Sequence, residues 1–257
     1  RQEELAAEER RTEAAYIEKQ KQEAARARER ARLDAIKQKI AMYEKAKGLW
    51  DGAYGKGQHV LTARCLVGIG NRYIAPGKMQ DYQKALEYGR EALAVVASAG
   101  KGGGVEEEGA LALIGNAHYD LKQWDEAMAH FERRLRVLVA HHGEEGARRV
   151  AKVAEAYMLI GNVYNFGRND FERALENYMK AVPVAEEATG KLSHTTGMLC
   201  DSIGIAYINQ QQYAEAVPWY ERTVAAFTFA HGAENEQYTK TTMRELEDAR
   251  RKAAQQQ

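Results

Sequence analysis

From residue 59 onward, apolar residues return every three to four positions, the pattern of helices that bury one face. The pattern also repeats on a longer scale. Ile69-Gly70-Asn71, Ile114-Gly115-Asn116 and Ile160-Gly161-Asn162 are copies of one phrase, and Ile203-Gly204-Ile205 is a degenerate fourth. The glycines are 45, 46 and 43 residues apart. Three residues after each stands a ring: Tyr73, His118, Tyr164 or Tyr207. An aromatic-x-x-Ala run follows: Tyr82 to Ala85, Trp124 to Ala127, Phe171 to Ala174, Tyr213 to Ala216. Self-similarity at such a period predicts stacked two-helix units. The expected pairs are 59–75 with 80–98, 105–121 with 124–141, 146–166 with 170–189, and 193–210 with 213–231. Together they fill 59–235. A capping helix over 236–254 carries Tyr238, Thr242, Leu246 and Ala249 on one face.

Residues 1–47 follow a different pattern. They hold 13 Lys/Arg and 10 Asp/Glu, with no Gly or Pro before Gly48. Opposite charges three residues apart, as in Glu18–Lys21 and Glu29–Arg32, support a solvated helix. A heptad stripe emerges only at Leu33, Ile36, Ile40 and Tyr43, so no continuous coiled-coil seam precedes it. The expectation is a charged helical arm, free or docked along another protein or filament. The glycine-rich stretch 48–58 should break it from the array.

Within each unit, small residues on both helices allow a close crossing. The large residue four positions after the alanine (Phe131, Tyr178 or Tyr220) is expected to pack towards the next unit. The first unit has Gly89 there. The phrase Ile-Gly-Asn-x-x-Tyr/His followed by Trp/Phe/Tyr-x-x-Ala-x-x-x-Phe/Tyr resembles the tetratricopeptide repeat over residues 59–231. Its length resembles the long repeats of kinesin light chain, rapsyn and the Leu-Gly-Asn repeat protein of spindle orientation. Ala216-Val217-Pro218-Trp219-Tyr220-Glu221-Arg222 is similar to the second helix of kinesin light chain repeats. The resemblance implies an all-α helical-hairpin solenoid of about four repeats plus the cap.

It also implies a groove, lined by the first helix of each pair, that binds a peptide or a helix of a partner. On that resemblance the wall is Asn71, Asn116 and Asn162, whose primary amides can bond a ligand's main chain. Tyr119, Asp120, Asn165, Phe166 and Asn209 extend it, and Arg64, Glu155 and Asp201 form its lower rim. Each asparagine could instead bond a neighbouring helix. No Lys stands four residues before these asparagines, which argues against a clamp for a chaperone C-terminus.

Composition narrows the function further. Lys+Arg and Asp+Glu are 37 each, so nothing favours phosphate neutralisation and nucleic acid is not an expected partner. No apolar run suggests membrane insertion. Cys65 and Cys200, the two cysteines, suit buried packing in a reduced, cytoplasmic-type compartment. His118, His130, His141 and His142 lack metal-ligand spacing, and Lys101-Gly102-Gly103-Gly104 lacks the phosphate-loop pattern. No catalytic constellation, metal site or cofactor is expected. Arg133, Arg134 and Arg136 read as a solvated face. The expected function is a non-catalytic scaffold or adaptor, cytoskeletal, motor-linked or ciliary. The alternative is a constitutive structural subunit of a large complex.

Overall fold

The computed structural model describes residues 2–77, 79–100 and 104–256. Its first element, α1 (Gln2–Tyr54), is one uninterrupted helix. The break expected over 48–58 shrinks to the turn between Tyr54 and Val60. Gly48 and Gly52 stay helical, although each costs about 1 kcal/mol against alanine. Local contacts offset that cost. Lys47 Nζ donates to Asp51 at 3.0 Å, and Asp51 Oδ1 accepts from the Gly57 N–H at 3.0 Å and the Thr62 hydroxyl at 3.1 Å. Trp50 stacks on His59 at 4.8 Å, and His59 caps the next helix through the Leu61 N–H.

Nor does α1 part from the array at residue 47. Ile40 is buried, and Leu33, Ile36 and Tyr43 are half-buried. The Tyr43 ring occupies the space a Cβ on Gly68 would need. Arg32 Nη2 donates to the Pro76 carbonyl at 2.9 Å, close to where this contact ends. The part before it, residues 2–31, extends about 45 Å at 1.5 Å per residue.

Four antiparallel pairs follow: α2 (Val60–Ile74) with α3 (Tyr82–Ser98), α4 (Val105–Asp120) with α5 (Trp124–Ala147), α6 (Ala151–Asn162) with α7 (Phe171–Thr189), and α8 (His194–Asn209) with α9 (Tyr213–His231). Helix α10 (Thr241–Gln255) packs on α9 and closes the stack. The second pair is longer than expected, since α5 passes 141 and turns at Gly143 (φ 70, ψ 161). The third pair therefore starts at Ala151 and not at 146. A π-helical turn, Val163–Gly167, ends α6, and another, Glu236–Lys240, leads into α10. The turn inside three pairs uses one left-handed residue each: Lys122 (φ 58), Asn169 (φ 52) and Gln211 (φ 60).

The seam inside each pair corrects one expectation. Phe131, Tyr178 and Tyr220 pack on the glycine of their own repeat, not towards the next. A Cβ on Gly115 or Gly161 would fall closer than 3.0 Å to the ring of Phe131 or Tyr178, and one on Gly204 would meet Tyr220 at 3.0 Å. The first repeat has no such ring because Gly89 stands in its place. Leu113 of the next repeat covers Gly70 there, and Ile114 covers Gly89. The first two units are thus tied by interlocking of α4 over α2 and α3, where later units close on themselves.

Candidate partner-binding groove

The first helices of successive pairs approach one another, α2 with α4 and α6 with α8, whereas α3 and α7 each bridge to the first helix of the following pair. Such an arrangement bends a solenoid with the first helices inside. The inner wall is read from the residues around each glycine. Asn71 is exposed and Asn116 half-buried, and neither side chain makes a hydrogen bond among the described residues. Asn162 differs. Its Oδ1 accepts from the Tyr178 hydroxyl at 2.7 Å. That tyrosine is fully buried, and burial raises its ionisation beyond the ordinary range. Phe131, the equivalent ring of the second repeat, has no hydroxyl, which leaves Asn116 without that partner.

One turn on, the π-helical turn places Asn165 inside and Phe166 outside. Asn165 is 1 % exposed, and its Oδ1 accepts from Asn209 Nδ2 at 2.9 Å, joining the third and fourth repeats. Phe166 keeps 46 % exposure. Tyr119 sets its ring edge-on to Trp124 at 5.3 Å, and burial pushes its hydroxyl to about 12. Asp120 beside it is exposed and makes no ion pair among the described residues. On the lower rim, Arg64 pairs with Glu106 at 2.7 Å and Glu155 with Arg134 at 2.8 Å. Asp201 makes no ion pair among the described residues, and its Oδ1 is buried without a donor. Burial, with Glu245 of α10 adding repulsion, pushes its carboxyl up to about 7.

Profiles described as tetratricopeptide repeat match residues 109–146 and 196–228, and a second profile of that description matches 154–186. These spans coincide with the second, fourth and third helix pairs. The chain carries tetratricopeptide repeats. BtubC (BKLC) from P. vanneervenii is similar in structure, with a TM-score of 0.69 and 20% identity over 86% of this chain and 85% of that one. A Rap protein in complex with competence and sporulation factor matches at TM-score 0.60 and 14% identity, over 85% of this chain and 61% of that chain. No curated protein sequence gives a significant match. Both structural likenesses show the fold.

The repeat junctions hold what sequence reasoning missed. Arg134 of the second repeat is 2 % exposed and not solvated as expected. Its Nε donates to Glu108 at 2.7 Å, which also receives Lys152 from the third repeat at 2.6 Å. Neighbouring Arg133 bonds Glu107 twice, at 3.1 and 2.6 Å. The signal in the sequence was the matched pair Glu107-Glu108 and Arg133-Arg134, both offset by 26 residues. His118 is buried and stacked on His130 at 5.6 Å. Among the described residues no group of three or more His, Cys, Asp or Glu side chains could hold a metal. Among the described residues no helix is long and apolar enough to cross a membrane. Cys65 and Cys200 are buried, and burial pushes the Cys200 thiol to about 11, so neither is an activated nucleophile.

Proposed function

We propose that this chain is a protein-interaction scaffold whose concave groove holds a peptide or helix of a partner. The supporting observation is the difference among equivalent amides. Asn71 and Asn116 present unspent donors and acceptors on the inner wall, while Asn162, Asn165 and Asn209 each spend one group within the repeats and Asn165 Nδ2 is buried without a partner among the described residues. An unspent carboxamide offers two donors and one acceptor, enough to hold a ligand's main chain. The extended N-terminal part of α1 supplies a second attachment surface, and two attachments on one chain make an adaptor. We place it in a cytoskeletal, motor-linked or ciliary assembly, on the resemblance of its long repeats to kinesin light chain. The Rap neighbour, solved with competence and sporulation factor, supports the use of this fold for holding a partner.

The bonded amides of the third and fourth repeats favour a second reading, a structural subunit with no exchangeable ligand. Affinity capture from the source cell separates the two. Asn116→Ala should lose one set of partners and removal of residues 1–31 another, with the melting curve unchanged in both. If a single partner set survives both changes, the chain is held by its outer surface and the groove is not its working face.

A further inference from the structure

The wall of the groove is not neutral. At each of the four glycines, take the residue three before and those one, four and five after. These include two formal charges, Asp120 and Asp201, and no cation. The rim charges nearby are already matched, Arg64 by Glu106 and Glu155 by Arg134. Asp120 and Asp201 have no cation within ion-pair distance among the described residues, although many acids of the repeats do. One oxygen of Asp201 is buried with no donor among the described residues. Burial costs a carboxylate its hydration, and a carboxylate so placed is stabilised by a cation that comes with a ligand.

Between the two aspartates stands an exposed ring. Asp120, Phe166 and Asn209 each stand five residues after the glycine, in the second, third and fourth repeats, and all three are exposed. In chain order they make a row of carboxylate, exposed ring and amide, the amide's Nδ2 already given to Asn165. Such a row suits a guanidinium or ammonium group, which can pair with the carboxylate while its stem or plane rests on the ring.

Resting on the groove reading above, we infer that the occupant is a basic segment, whose lysine or arginine side chains meet Asp120 and Asp201 and lie across Phe166. An acidic segment would face the carboxyls of Asp120 and Asp201, neither of which has a cation within ion-pair distance among the described residues.

The test is to pan a random dodecapeptide library on the immobilised full chain and on three variants: Asp120→Asn with Asp201→Asn, Phe166→Ala, and Asn116→Ala. Each variant is first shown by its melting curve to be folded. We expect peptides selected on the unaltered chain to be several-fold enriched in Lys and Arg. Their binding should weaken about tenfold or more on the double variant and less on Phe166→Ala. Peptides that depend on Asn116 but show no basic enrichment would overturn this inference and leave the groove reading standing. Basic peptides that bind the double variant as well as the unaltered chain would overturn it too. Recovery of no peptide, or only of peptides indifferent to all three variants, removes the groove reading and this inference with it.

Discussion

Asn116 and Asn162 follow equivalent glycines in adjacent repeats, yet the ring opposite each decides what its amide does. Tyr178 lies over Gly161 with its hydroxyl on Asn162, and Phe131 lies over Gly115 with nothing to donate. Asn162→Ala strands the hydroxyl of a fully buried tyrosine, at a cost of about 1–3 kcal/mol in denaturant unfolding. Asn116→Ala should change stability by no more than about 0.5 kcal/mol, as at surface sites. A measured equality of the two would show that the hydroxyl bond carries no weight. Asp201 gives a pH signature. Its carboxyl ionises near 7 in the folded chain, against 3.8 for an ordinary aspartate. Its favourable contribution is therefore complete below about pH 4 and lost as the pH rises through 7. Asp201→Asn should raise the unfolding midpoint at pH 8, by the equivalent of about 1–3 kcal/mol, and change it little at pH 4. Of these residue-scale features, the positions of the wall residues were legible from the repeat phrase. Which amides were free was not, because that depends on a ring sixteen residues away in the chain and on whether it ends in a hydroxyl.

At the scale of the elements, each crossing depends on a glycine with a ring seated on it. Gly161→Leu would drive a branched side chain into Tyr178, and the overpacking should cost about 1–3 kcal/mol or more. Gly204, where the ring stands slightly further off, should tolerate Gly204→Ala better than Gly161 tolerates Gly161→Ala. Helix α1 divides into an extension and a docked part. Removing residues 1–31 should leave the thermal midpoint in place. Removing 1–47 takes away Leu33, Ile36, Ile40 and Tyr43 and should lower it by several degrees, since burying one such side chain alone contributes about 1.5–3 kcal/mol. Periodicity made the repeat helices legible, because each buries one stripe, and charge pairs with no Gly or Pro did so for most of α1. It misplaced the end of α1, because a glycine reads locally as a breaker. What keeps Gly48 and Gly52 helical is Asp51, whose bonds to Gly57 and Thr62 lie across the turn. The direction of the rings was also misread, since spacing along one helix does not say which neighbour it faces.

Across the whole molecule, the second and third repeats meet through charge as well as apolar packing. Arg134 is held by Glu108 below it and by Glu155 on the following repeat, while Lys152 reaches back to Glu108. Removing Arg134 leaves the buried Glu108 carboxylate compensated by Lys152 alone. Arg134→Ala should cost about 3–5 kcal/mol, whereas an apolar replacement of both Arg134 and Glu108 should recover much of it. Differential hydrogen exchange would show the loss centred on α5 and α6, and a loss confined to α8–α10 would contradict the arrangement. The run of arginines alone suggested a water-facing surface, because the two glutamates opposite it stand 26 residues away in the chain.

The length of α1 has one more consequence. A flexible tether of 30 residues would have an end-to-end distance near 30 Å, spread over a wide range. A helix of that length sets about 45 Å and holds it. Two ligands engaged at its tip and in the repeats would then be kept apart at a set separation, as by a ruler, and would not be drawn together. A few added turns should shift that separation in steps of about 5.4 Å, each also rotating the tip, so that spacing and orientation could be tuned together by inserting residues.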